Sequence, residues 1–440
     1  MFPLARIAYR NTKKNWRHSL AAIISISAGF LSLVLFQGYI ADVNQMYDVG
    51  FSNRAMYGHV IIENPEVNTT LGKSLGEEIY LDVAEQKKIK EFLSSKKENV
   101  HVSVRFLPVT GTVTNGINSF IFIAMGYDLT AGAEMRKPLW EWEALYGEPL
   151  HVAQNPQGIV LGQALGFLLG CEPNPKILNM VQNDGYEATL RPFKCDNYDL
   201  QVTAMTASGQ LNALDMSVVG LIDGGYKDID EKWMKMSIES AQLLTNTDKI
   251  KFVTTLLKNE KDSSRFIQDF NEFAKTNNLK SKAVYLKDHP VADLYNKTRE
   301  LLGIFQIFIV TVTLTISGLS VLNTVVKSVK ERTREIGTLR SIGYNRQTVG
   351  SIFTFEAFYL SLLGVGIGIG LAGVITFFVN HAKILYRAGL LSEPVYFRIT
   401  FDFSSYVLCT FLLAGLAVIT SFFAVRSTLK KSVAENLANV

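Results

Sequence analysis

Gly72-Lys73-Ser74 ends like a phosphate-binding loop, in which glycine amides cradle phosphates and the lysine reaches the outer ones. That pattern needs a glycine at position 67, where Val67 stands, and no complete version occurs elsewhere. Nucleotide hydrolysis by that route is therefore not expected of this chain. The six histidines (His18, His59, His101, His151, His289, His381) are scattered, without HExxH or another paired spacing that would hold a metal. There is no G-x-S-x-G and no Cys/His arrangement for nucleophilic catalysis. Carboxylates are frequent between 42 and 300, but none stands beside a recognisable partner, and solvated surface is the expectation for nearly all of them. Glu356 sits in an apolar run, where an acid is a functional candidate, although a nearby arginine could equally pair with it at the interface. Cys171 and Cys195 offer a possible disulfide in an oxidising compartment, closing a loop worth about 3 kcal/mol. Cys409 reads as a small apolar residue of a membrane helix. No catalytic residue, metal or cofactor is expected in the chain.

The elements that must position these residues are dominated by four apolar runs, 19–41, 301–326, 355–379 and 403–424. Each is long enough to cross a bilayer, which takes about 20 residues. The first exceeds a signal peptide's apolar core and lacks a small-residue cleavage pattern, so an uncleaved anchor is expected. Residues 1–18 carry Arg6, Arg10, Lys13, Lys14 and Arg17 with no acid, and the tail 425–440 carries Arg426, Lys430 and Lys431. Both ends and the 327–350 loop are thus expected in the cytoplasm. Segment 42–300 falls on the far side and holds 27 Lys/Arg against 34 Asp/Glu. The basic face is what anionic lipid attracts, and it implies no nucleic acid. The expected fold is a membrane α-helical protein with four transmembrane helices and a large α+β, two-lobed domain between helices 1 and 2.

Lys327–Gly350 is the most organised polar stretch. Six Lys/Arg face two acids, and Ile336, Leu339 and Ile342 form an i, i+3, i+6 stripe that fits a short amphipathic helix. Gly343 is a stop signal, and a second helix starts near Asn345. The 355–379 run contains GVGIGIG, which as a loop could bind phosphate. Within an apolar helix its amides are used internally, so Gly364/Gly368 and Gly366/Gly370 read as small-xxx-small helix-packing pairs.

In chain order, residues 1–18 suit an amphipathic helix on the inner leaflet, with Trp16 at headgroup level. The first span is expected to continue outward as a stalk. Strands are expected at 59–63, 101–109, 111–114, 119–125, 200–206, 216–221, 251–257 and 283–286, and a strand-to-helix turn over 158–169. Helices are expected at 83–98, 229–246 and 262–278, the last capped by Asp262 or Ser263. Residues 133–157 read as irregular and 171–194 as loop. Pro290 suits a helix's first turn, so a second stalk is expected to run unbroken into the 301–326 span. Residues 380–402 return as a short loop containing Pro394.

The stretch RTREIGTLRSIGYNRQTVGSIFTFEAF resembles the signature of FtsX-like ABC transporter permeases. LARIAYRNTKKNWRHSL, GHVIIENP and GIVLGQALGFLLG are similar to MacB/LolE-type permeases with a periplasmic core domain. The 171–194 segment departs from the compact strand connection of those permeases. The resemblance implies a permease in a bacterial inner membrane, paired with a second, identical or homologous permease and with two copies of a separate ATPase that holds ATP and Mg. It implies that ATP-driven closure moves the periplasmic domain (mechanotransmission). Glu331, Arg332, Arg334, Glu335, Ile336, Gly337, Leu339, Arg340 and Gly343 fall on the ATPase-coupling motif. Three functions follow as expectations: lipoprotein or lipid trafficking; MacB-like efflux with a periplasmic adaptor; or FtsX-like scaffolding of cell-wall hydrolases.

Overall fold

The computed structural model describes residues 16–69, 79–138, 140–153, 155–174, 179–183, 186–224, 227–386 and 395–428. The amphipathic segment expected before the first span, Gly72-Lys73-Ser74, Pro394 and Lys430/Lys431 lie outside the described residues. Two compact units are present: one built from 1–45, 298–385 and 396–440, the other from 46–297 and 386–395.

The first unit is helical. Its elements are α1 (Trp16–Val49) as far as Gln45, α9 (Asp293–Glu331) from Thr298, α10 (Thr333–Ser341), α11 (Arg346–Ala382) and α12 (Phe403–Thr428); the remaining ends of α1 and α9 belong to the second unit. Among the described residues, four helices are long and apolar enough to cross a membrane, and α10 is not one of them. Ile26, Phe30 and Leu33 of α1 pack with Val325, Phe353, Ala357, Leu413 and Ala417 of the other three. Small residues set how closely these helices approach. A Cβ on Gly364 would lie 2.8 Å from Ile26, and one on Gly368 would lie 2.8 Å from Phe30. Gly366 and Gly370 face open space instead, so only one of the two expected glycine pairs meets a helix of this chain. Polar side chains satisfy one another inside the bundle, as Ser320 does by donating to Ser25 at 2.6 Å.

The second unit is a mixed sheet covered on both faces. Its strands are β1 (Val60–Glu63), β2 (Val100–Thr114), β3 (Ser119–Tyr127), β4 (Ala144–Gly147), β5 (Gly158–Gly162), β10 (Asp199–Met205), β11 (Leu211–Ile222), β12 (Trp233–Ser237), β13 (Phe252–Leu257) and β14 (Lys282–Tyr285). They run in the order β10-β11-β5-β12-β3-β2-β13-β1-β14, with β4 on β11. The sheet is continuous, so the two lobes expected from the alternation of elements share one sheet. Strand geometry sends alternate residues to opposite faces, and here both faces are apolar. Val60 and Ile62 join one core, with Phe92 of α2 (Val83–Ser95), Leu244 of α7 (Ile238–Thr245) and Phe270 of α8 (Ser263–Thr276). Ile61 joins the other, with Phe106, Tyr127, Met135 of α3 (Leu129–Arg136) and Leu150 of α4 (Leu150–Ala153).

Four expectations are corrected. Residues 229–246 are not one helix: α6 (Lys227–Asp230) precedes β12, which is followed by α7. WMKMS pairs with β3 and β5 and buries Met234, Lys235 and Met236, so ladder pairing overrides a periodicity that also fits a helix. Residues 171–194 are not loop. After α5 (Gln163–Leu168), β6 (Cys171–Pro173) pairs with β9 (Phe193–Cys195), and β7 (Asn179–Asn183) pairs with β8 (Tyr186–Leu190). Cys171 and Cys195 stand opposite each other in that ladder and form a disulfide. The irregular 133–157 region contains the end of α3, then β4 and α4. The two strands read at 101–109 and 111–114 are one, β2, since its partners β3 and β10 continue the ladder past Pro108 and Gly111. At α8 the residue before the helix is Asp262, but its side chain makes no cap bond.

The glycine geometry makes a direct prediction. Gly368→Leu should cost about 2–3 kcal/mol of stability by overpacking against Phe30, while Gly366→Leu should stay within about 0.5 kcal/mol. Thermal unfolding of both variants in the same detergent checks the contrast.

Candidate functional site

The predicted coupling residues gather at one end of the helical unit. α9 ends at Glu331, α10 begins at Thr333, and Arg332 alone separates them. That arginine is a three-way pin. Its Nε donates to Glu335 Oε2 of α10 at 2.8 Å, and its Nη1 donates to Glu356 Oε2 of α11 at 2.9 Å. Its guanidinium also stacks on the Phe353 ring at 5.0 Å. Glu356 is buried, with 7% of its side chain exposed, and Arg332 is its ion-pair partner. A buried carboxylate is costly without such a partner. The arginine partner that sequence reading allowed for Glu356 is present, and it is Arg332.

α10 is held by one face. Ile336 and Gly337 are buried and Leu339 packs against the bundle core. Arg334 and Glu335 face outward, and Arg340 is half-buried. The apolar stripe divides at its end: Ile342 is 70% exposed, because the helix stops at Ser341 and Ile342 caps it. Gly343 makes that stop possible with φ of +105°. Its N–H donates to Arg340 O at 3.2 Å and that of Tyr344 to Leu339 O at 3.1 Å, the paired bonds of a Schellman ending. Asn345 then opens α11 by accepting from Thr348 N at 2.7 Å. The result is a rigid helix–turn–helix whose outward apolar tip is Ile342 with Tyr344, which is 40% exposed. Sequence reading placed Ile342 on the packed face and did not single out Tyr344. The signal was the glycine one position later, which ends the helix before Ile342. Glu331, in the last turn of α9, lies 4.0 Å from Lys327.

The sheet unit has two polar assemblies that sequence reading did not find. At its core Arg136 is fully buried, 3.1 Å from Glu143, which also accepts from Tyr127 Oη at 2.9 Å and from Lys235 Nζ. Burial opposes ionisation of Glu143, but Arg136, Lys235 and the Tyr127 hydrogen bond outweigh it and hold the carboxyl down at about 2. Tyr127, Arg136 and Glu143 are near one another in sequence, but Lys235 of β12 lies 92 positions from Glu143, and the residues share no periodic spacing that announces them. The second assembly surrounds a cavity of about 140 Å³ lined by Asp48, His59, Glu260, Tyr285, Lys287 and Tyr295. Tyr295 of α9 donates to Asp48 of α1, and Lys287 Nζ donates to Glu260 at 3.1 Å. Burial opposes the charge on Lys287, yet Glu260 and Asp48 raise its pKa above the ordinary lysine value. Just before α9, His289 Nδ1 accepts from Val291 N at 3.1 Å while its Nε2 donates to buried Glu63 of β1 at 2.7 Å. The start of α9 is therefore bonded to the sheet and to α1.

Hydrogen bonds and ion pairs in these assemblies join distant elements, and among the described residues no group of three or more His, Cys, Asp or Glu could hold a metal ion. Four helices long and apolar enough to cross a membrane, with α10 packed on them and a sheet unit that follows the first in sequence, make up the described residues. Residues 307–433 match the family model described as FtsX-like permease C-terminal. The chain carries an FtsX-like permease domain, and its homologues are ABC transporter permeases. The ABC transporter permease YtrF of Bacillus subtilis is 23% identical over 360 residues, covering 73% of this chain and 75% of that protein. The macrolide export ATP-binding/permease protein MacB of Burkholderia thailandensis is 33% identical over 103 residues, covering 22% of this chain and 16% of that protein. Among solved structures, the extracellular domain of the noncanonic ABC-type transporter YknZ from Gram-positive bacteria is 8% identical with a TM-score of 0.32. It covers 52% of this chain and 98% of that one.

The buried network yields a stability prediction. Glu143 has a depressed pKa, so its contribution is fully present above about 4.5 and is lost as pH falls towards about 2. Glu143→Gln should destabilise the full chain by about 3–5 kcal/mol at pH 7, because two buried cations lose their counter-charge. It should also flatten the acid limb of the stability profile, measured by denaturation between pH 7 and 2.

Proposed function

We propose that this chain is a permease subunit that transmits ATP-driven motion from a separate cytoplasmic ATPase to a periplasmic sheet domain at a bacterial inner membrane. One observation carries this reading: α10 is pinned by Arg332 to the end of a 39-residue helix, α9. A push on α10 needs a stiff path. The direct junction at Arg332 supplies its entry, and the bonds of Tyr295 and His289 supply its exit into the sheet. Arg334, Glu335 and the Ile342/Tyr344 tip are the surface offered to the ATPase; Arg332, Ile336, Gly337, Leu339 and Gly343 hold that surface in shape. A pair of permeases, identical or homologous, would present two such surfaces to two ATPase copies, which hold the ATP and Mg.

For cargo, the reading is lipoprotein or lipid release at the outer leaflet, supported by the resemblance of GHVIIENP and GIVLGQALGFLLG to MacB/LolE-type permeases. A second reading, efflux through a periplasmic adaptor, is favoured by the 33% identity to the MacB segment.

Ile342→Glu should lower stimulation of the cognate ATPase about tenfold, the loss expected when one buried isoleucine contact disappears. Its melting temperature should be unchanged, because Ile342 is exposed. Wild-type stimulation would remove the tip from the contact. Proteoliposomes containing permease, ATPase and a lipoprotein should release the lipoprotein in an ATP-dependent manner. Release of none of several lipoproteins, with an adaptor co-purifying, would favour efflux instead.

A further inference from the structure

A groove of about 830 Å³ runs between α11 and α12, starting at the first residue of α11 and the last turn of α12. Its mouth is cationic. Arg346 is the first residue of α11 and Arg426 lies in the last turn of α12; both are exposed, and among the described residues neither forms an ion pair. Among the described residues no acid lines the groove, and the nearby Glu356 pairs with Arg332 instead. Below the mouth the walls turn apolar, with Phe355 and Phe358 on α11 facing Val418 and Phe422 on α12. Phe358 and Phe422 are 38% and 50% exposed. From Arg346 to Phe358 the helix rises about 18 Å, roughly the depth of one leaflet of a hydrocarbon core about 30 Å thick.

We propose that this groove binds one anionic phospholipid, its phosphate held by Arg346 and Arg426 and an acyl chain laid along Phe355, Phe358 and Phe422. Guanidinium groups match phosphate oxygens in a bidentate fork, and basic pockets between membrane helices on the cytoplasmic side bind anionic headgroups. A soluble partner can reach the arginines but cannot follow the aromatic wall into the bilayer. A free phosphate would use the mouth alone. Only a molecule with an anionic head and a long apolar tail matches the groove over its whole length. A lipid there would touch Arg346, Gln347 and Gly350, in the first turn or so of the helix that follows the Gly343 turn, so lipid composition would bear on how firmly α10 is held.

The test uses the full chain in detergent, without ATPase, so that it reads independently of transport. Native mass spectrometry measures binding of dioctanoyl phosphatidylglycerol and of the zwitterionic dioctanoyl phosphatidylcholine. The glycerol lipid should bind about 30-fold more tightly, the ratio expected for two arginines near a headgroup. Arg346→Ala with Arg426→Ala should abolish that preference, while Lys90→Ala with Lys97→Ala, which removes two charges elsewhere, should leave it intact. Val418→Trp should weaken both lipids by filling the apolar part without touching charge. Inorganic phosphate at millimolar concentration should not displace the lipid. Equal binding of the two lipids, an equal loss in the lysine control, or displacement by phosphate would overturn the proposal. So would a Ser351→Cys variant that forms a disulfide-linked dimer in nanodiscs, since a second copy would then occupy the groove.

Discussion

The helical unit depends on one partly buried arginine between two glutamates. Arg332 joins α9, α10 and α11 at a single residue, and each contact answers a physical need. Glu356 requires a counter-charge because it is buried, α10 requires an anchor because nine residues are too few to hold a helix alone, and α9 requires a stop. Remove the guanidinium and the buried carboxylate is left unpaired, a cost greater than the pair's own stabilisation. An interaction weak as a source of stability thus acts as a locator. It defines the angle at which α10 meets α9, and an angle is what a mechanical junction must preserve.

The sheet unit applies the same logic with different chemistry. Its sheet is apolar on both faces, so helices and loops cover it twice, and the charged groups trapped inside must neutralise one another, as Arg136, Glu143 and Lys235 do. At its other polar assembly, Tyr295, Asp48, Lys287 and Glu260 tie the ends of α1 and α9 together. Under the proposed function this bond matters, because helices joined at Asp48 move together or break that contact.

The long elements were legible because their signals are local. Apolar length marks the four long helices, charge marks the α10 region, and the Gly343–Asn345 turn marks the boundary between α10 and α11. The FtsX-like signature lay in the same residues that make the Arg332 junction. Illegible parts were those decided by partners distant in sequence. Trp233–Ser237 has the periodicity of a helix and becomes a strand because β3 and β5 flank it. Glu143 looks like any surface acid until Arg136 and Lys235 close around it. Gly366 and Gly364 are equivalent in sequence, and only the position of α1 separates them. Ile342 fits the apolar stripe and leaves it because the backbone turns at the next residue.

Stiffness of the α9–α10 junction is the central claim, and a distance between spin labels at Glu300 and Thr338, both in the helical unit, measures it. α9 rises about 46 Å from Glu300 to Glu331, so the labels should stand on the order of 50 Å apart. A single narrow distribution should persist with the ATPase bound, whether ATP is present or absent, and should broaden in Arg332→Ala. A broad distribution in the unaltered chain, or one that shifts when ATP is added, would contradict transmission through a rigid α9.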